Sequence, residues 1–110
     1  MEKSNFQLYK EEREGAIVIE TEYGFATAIE TDHSLYIDDI FIKKEFRKTN
    51  KASELADKLV IKAKELEYYQ ITGSVDTNAN GAHTSLLVLI GYGMKLSHVH
   101  GSMIYFTKDI

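Results

Sequence analysis

Cysteine is absent from the 110 residues, and so is proline. Without cysteine there can be no disulfide, no thiolate metal site and no cysteine nucleophile. Average proline usage of ~5% would put about five in a chain this long, and nothing in the sequence explains their absence. Positive charge is also in short supply. Thirteen Lys and Arg stand against 17 Asp and Glu, for a net charge of −4. Proteins that coat nucleic acid neutralise phosphates with surplus Lys and Arg, so nucleic acid is not an expected partner. No apolar run approaches the ~20 residues that span a bilayer, and Met1–Lys10 lacks the apolar stretch of a secretory signal. These absences lead to the expectation of a cytoplasmic, soluble protein with no membrane partner. What is present is globular in character, with 44% hydrophobic and 27% charged residues, near the average for folded domains. A chain of this length buries a core without staples. No repeat or linker divides it, so residues 1–110 are read as one domain.

The order of elements follows from hydrophobic spacing. Ser4 or Asn5 can cap a short helix through Glu14, ended by Gly15. A short edge strand at Phe6–Tyr9 is the alternative, and the charges of Lys10–Glu14 favour helix or turn. Ala16–Thr21 and Phe25–Thr31 read as a hairpin turning at Tyr23-Gly24. Leu35–Ile42 is a further strand, and strict alternation would put Asp38 on one sheet face and Asp39 on the other. The period then changes. Leu55, Ala56, Leu59, Val60, Ala63 and Leu66 form one face of a helix, with Thr49 or Asn50 as its N-cap. Gln70–Val75 alternates again. Ala82–Ile90 could be a buried strand by composition, but Ala79, Ala82, Leu86, Leu89 and Ile90 have helical spacing, with Gly91 at the stop. Met94–Val99 and Ser102–Lys108 are two closing strands. The strand–helix–strand unit in the middle implies a parallel pair with a right-handed crossover, flanked by antiparallel strands.

The junction between the Leu35–Ile42 strand and the long helix carries the clearest chemistry. A strand ends, a polar loop turns, and a helix begins beside Lys48 and Lys51. The free N–H groups and positive dipole end of such a helix can hold a pyrophosphate. Other groups have plainer readings. His98 and His100 share a strand face, but spacing supplies no third ligand, and no metal site is assigned. The scattered Tyr and Phe residues lack an interleaved basic stripe, so they read as core packing rather than base stacking.

Taken together, these segments resemble the GCN5-related N-acetyltransferase (GNAT) family. Ile42-Lys43-Lys44-Glu45-Phe46 resembles the family's turn after its cofactor-binding strand. Arg47-Lys48-Thr49-Asn50-Lys51-Ala52 resembles its Arg/Gln-x-x-Gly-x-Gly/Ala loop, with Arg47 and Ala52 matching and Asn50 in place of the first glycine. Asn80 through Gly91-Tyr92 resembles the Asn-to-Gly-aromatic segment, and Ser102–Phe106 the closing hairpin. The resemblance covers roughly Ala16 to the C-terminus. It implies an α/β (α+β) fold with a mixed, mostly antiparallel sheet, a central parallel strand pair and helices on both faces. It also implies acetyl-CoA as cofactor. The backbone of Ile40, Phe41 and Ile42 would hold the pantetheine arm. The loop Arg47, Lys48, Thr49, Asn50, Lys51, Ala52 and Ser53 would hold the pyrophosphate, with Asn80 near the amide arm. The acceptor would be a small-molecule or protein amine, and the chain a monomer or homodimer.

The departures from the family pattern bear on chemistry. Lys44 stands where proline is common, and Leu87 where the family often has a tyrosine acid. No carboxylate lies at Ser74 or Val75. The remaining candidates for a proton acceptor are Asp39, with Asp38, Glu20 and Glu22 beside it in the reckoning. Ser85 is the candidate to assist thiolate departure, which a thiol pKa near 8.5 makes tolerant of a weak acid. The alternative expectation is a GNAT-fold binding or inhibitory module without turnover.

Overall fold

The computed structural model describes residues 2–110. Its elements in chain order are α1 (Asn5–Glu14), β1 (Ile17–Thr21), β2 (Gly24–Glu30), β3 (Leu35–Ile42), a short 3-10 turn (Lys44–Phe46), α2 (Lys51–Glu65), β4 (Gln70–Asp76), α3 (Ala82–Gly91), β5 (Lys95–His100) and β6 (Met103–Asp109). The strands form one sheet in the order β1-β2-β3-β4-β6-β5. β3 and β4 are parallel, and every other pairing is antiparallel.

Local sequence explains most boundaries. The Ser4 hydroxyl accepts the Gln7 N–H at 3.0 Å to start α1, and Gly15 ends it at φ 63°, a conformation glycine adopts without a Cβ penalty. The first segment is therefore helix, not an edge strand. In α2 the residues Leu55, Ala56, Leu59 and Ala63 are buried. They recur at helical spacing and pack onto Ala26, Ala28, Leu35, Ile37 and Ile71 of the sheet. Burial of this one stripe provides the main apolar stabilisation. α1 covers the opposite face, where Phe6, Phe25 and Phe41 form a ring cluster with centroids 4.7 and 5.6 Å apart.

One expectation about β3 is overturned. The register pairs Ala28 with Ile37 but Thr27 with Asp39, leaving Asp38 as a bulge. An extra residue resets the alternation. Ile37 and Ile40 consequently both face α2, and Asp38 and Asp39 do not lie on opposite faces. Both carboxylates act electrostatically on Lys10 of α1, which places them together on the α1 side. Among the described residues, no helix is long and apolar enough to cross a membrane.

Candidate functional site

The site begins where two parallel strands stop pairing. β3 and β4 are joined only at Leu35–Ile71 and Tyr36–Thr72. Beyond these pairs β3 continues to Ile42 along β2, and β4 continues to Asp76 along β6. The gap between them opens at the strands' carboxyl ends, the usual ligand position in sheets of this kind. The Lys43 N–H donates to Tyr23 O at 2.8 Å. Counting back by twos in an antiparallel ladder, Phe41 bonds to β2, whereas the backbone groups of Ile40 and Ile42 point into the gap. Of the Ile40–Ile42 segment, then, Ile40 and Ile42 present polar backbone to the cleft and Phe41 does not.

The loop that follows is built for exposed N–H groups. Lys48 and Asn50 have φ of 65° and 63°. Alternation of left- and right-handed residues turns successive N–H groups the same way, a concavity that suits anions. Asn50 sits at the N-cap of α2 but makes no side-chain capping bond. Thr49 does not cap either, because its hydroxyl donates to Phe46 O. Asn50 is thus the N-cap residue, one of the two expected, but it caps without a side-chain bond. The positive φ turns the Asn50 side chain from capping geometry, and the loop consumes Thr49. Among the described residues, the N–H groups of 48–53 donate to no protein acceptor. They stand at the positive end of α2, and residues 47–50 are exposed.

Side chains of the loop divide by role. Arg47 Nε donates to Ile42 O at 2.9 Å, and its guanidinium lies over the Phe41 ring at 5.9 Å. It ties the loop to the end of β3. Lys51 turns to Glu54 at 3.3 Å and to the Tyr23 ring at 5.1 Å. Lys48 is exposed. Ala52 and Ser53 form one wall of an apolar cleft. Ile37 and Ile40 supply the floor, while Val88, Leu89 and Tyr92 supply the other wall. That narrow apolar shape suits an extended chain rather than a bulky ring. Asn80 is exposed in the β4–α3 loop, at the same end of the sheet.

Helix α3 forms the far wall. The Tyr92 hydroxyl donates to Asp57 of α2 at 2.6 Å and bridges the two walls. Burial, and then this bond, push the Tyr92 pKa well above its ordinary value. Val88 faces the cleft, whereas Leu87 is 56% exposed. Leu87, singled out in the sequence, does not line the cleft. Ser85 shares the helical stripe of Val88 and Tyr92 by its spacing of i, i+3 and i+7, and it is exposed.

At the vertex of the gap, on the α1 side, the Tyr36 hydroxyl is hydrogen-bonded to Ser74. Ser34 and Thr72 hydroxyls pair next to them at 3.2 Å. Sequence reasoning missed the Tyr36–Ser74 pair. Alternation gives the face of each residue, but only the parallel register brings them together. Asp39 lies on the same face of β3, and desolvation followed by the neighbouring Asp38 raises its pKa. Glu20 accepts from the Ser4 hydroxyl at 2.6 Å at the far edge of the sheet, away from this vertex. Among the described residues no three His, Asp or Glu side chains gather as a metal site would require.

No family model matches the chain, and no curated protein matches it. Solved structures do. An acetyltransferase from Bacillus subtilis in complex with CoA superposes with a TM-score of 0.72 at 14% identity, covering 96% of this chain and 84% of that one. A GNAT family acetyltransferase from Elizabethkingia anophelis with acetyl-CoA bound gives 0.67 at 16% identity, over 80% and 69% of the two chains. The IAA acetyltransferase from Bacillus cereus gives 0.73 at 12% identity, over 97% and 85%. Likeness at these identities establishes architecture: the chain has the GNAT fold.

Proposed function

We propose that this GNAT-fold chain is an acetyl-CoA-dependent N-acetyltransferase that moves an acetyl group to an amine. The observation that carries the reading is the coincidence of two open features: the gap between β3 and β4, and the unpartnered N–H groups of residues 48–53 beside it. The residues present fit CoA. Lys48 to Ser53 offer backbone donors for a pyrophosphate. Ile40 and Ile42 offer backbone groups to an amide-containing arm, although Arg47 already holds the Ile42 carbonyl. The apolar walls suit the arm's hydrocarbon segments. Asn80 stands at the same end for a polar contact.

When bound, acetyl-CoA supplies an activated thioester. The chain's own contribution is first to align it with an amine, and proximity of this kind accounts for much of a two-substrate rate. The reacting centre would lie near the vertex, where Tyr36 and Ser74 present hydroxyls and Asp39 presents a carboxylate with a raised pKa. An incoming ammonium must lose a proton before it attacks, and Asp39 is the residue we assign to accept it. Ser85, on the cleft side of α3, is assigned to assist thiolate departure.

Thermal unfolding with and without acetyl-CoA, followed by thiol release across a panel of amines, tests this reading. A ligand that binds only the folded state raises Tm. We expect a Tm rise with both CoA and acetyl-CoA, and amine-dependent thiol release. No rise at millimolar ligand would overturn the reading. A rise without thiol release would favour the non-catalytic binding module, for which the absence of a tyrosine at both Leu87 and Val88 is the supporting observation.

A further inference from the structure

Thr27 of β2 is fully buried. Among the described residues, its Oγ1 is the one buried side-chain polar atom without a hydrogen-bond partner. A hydroxyl in that position has given up water with nothing in return, which is costly. Valine has the same outline without that cost. The hydroxyl therefore points to a state in which an acceptor reaches it.

The neighbours of Thr27 single out that acceptor. Residues two apart in a strand share a face, and Phe25 lies against Phe6 of α1, so Thr27 is on the α1 side. There Phe25 and Ile29 flank it along β2, and Val18 stands opposite on β1. All three are hydrocarbon. The fourth neighbour, opposite on β3, is Asp39. Directly opposed side chains have Cβ atoms about 4.5–5.5 Å apart. The acceptors of α1 above are engaged: Glu11 by Lys3 and Gln7, and Glu14 by Lys10. Gln7 also donates to Val18 O. Asp39 is exposed, so its carboxylate has room to turn, and a rotation of the side chain carries one oxygen to Thr27 Oγ1.

We propose that Thr27 is a positioning residue for Asp39: its hydroxyl donates to one carboxylate oxygen and leaves the other directed at the amine. The role rests on the reading of Asp39 as the proton acceptor. Thr27 lies on the β2 side of Asp39 and the gap on the β4 side, so one oxygen serves each. The bond also favours the ionised form, against the desolvation and the Asp38 charge that raise the Asp39 pKa. The other charges facing Asp39 come from α1, where Lys10 lowers its pKa and Glu14 raises it. Glu20 of β1, on the same face, is bonded to Ser4. β2 brings no charge to it, and on the open side β4 presents the Ser74 hydroxyl bonded to Tyr36.

Titration of the Asp39 carboxyl by ¹³C NMR on the free chain, with Asp39→Asn fixing the assignment, tests this without CoA or an amine. Thr27→Val keeps the outline and removes the donor. Its Asp39 should hold a proton at least about threefold more tightly than in wild type, at an unchanged or higher Tm. Thr27→Ala, a second donor-free variant, should titrate likewise and guards against misfolding of the first. Thr27→Ser keeps a donor and should titrate as wild type. In acetyl transfer, the acid limb of kcat/KM should move to higher pH in Thr27→Val, with CoA binding unchanged. Donor-free variants that titrate as wild type overturn the proposal. Equal displacement in Thr27→Val and Thr27→Ser overturns it too, since packing and not the hydroxyl would then be responsible. A chain that releases no thiol defeats the acetyltransferase reading, while the carboxyl titration still decides the contact between Thr27 and Asp39.

Discussion

Asn50 shows how one residue can serve two demands. The loop needs a left-handed backbone at its φ of 63°, and asparagine tolerates that conformation better than any other residue except glycine. Asn50→Gly should change stability by less than about 1 kcal/mol and leave CoA affinity equal or tighter, as calorimetry would show. Asn50→Trp puts bulk at the mouth of the N–H cluster and should weaken CoA at least about tenfold, or about 1.4 kcal/mol. Asp39 gives a prediction of opposite character. Its pKa is raised by desolvation and by Asp38. A carboxyl whose pKa is raised on folding stabilises the fold only while protonated. That contribution fades as pH rises through the unfolded and then the folded pKa. Asp39→Asn should therefore raise Tm near neutral pH, with the difference vanishing below the ordinary carboxylate range. If Asp39 accepts the amine's proton, the same variant loses acetyl transfer while keeping CoA binding. The special backbone at Asn50 was legible because the residue type replaces a glycine. The same conformation at Lys48 was not, because lysine carries no sign of it.

At the scale of elements, the periodic segments were legible and the geometry between them was not. α2 announces itself through Leu55, Leu59 and Ala63, and these are fully buried. Leu59→Ala should cost about 2–5 kcal/mol in denaturant unfolding. The Asp38 bulge was invisible because it depends on how β3 meets β2, and a single-strand alternation cannot register an extra residue. Nor could helix spacing say which side of α3 faces the cleft: the family resemblance points to Leu87, whereas Val88 is the lining residue. The Tyr92–Asp57 bond is likewise a meeting of two helices 35 residues apart. Tyr92→Phe should cost about 1 kcal/mol and loosen the wall of the cleft. We expect weaker CoA binding from it, with the Tm gain on ligand addition reduced more than the unliganded Tm.

Across the whole molecule, each half of the sheet carries its own task. β1 to β3 and α2 hold the core and the loop, while β4 to β6 and α3 close the cleft. The gap opens where β3 and β4 part after the Tyr36–Thr72 pair while each runs on along its other neighbour, β2 or β6. The most direct measurement of the central claim is a ¹H–¹⁵N NMR titration of the labelled chain with CoA, which reads the backbone N–H groups themselves. The largest shift changes should fall on the amides of Lys48 to Ser53, with Ile40 and Ile42 following. Saturating CoA that leaves those amides unmoved, or that perturbs a different surface of the sheet, would contradict it.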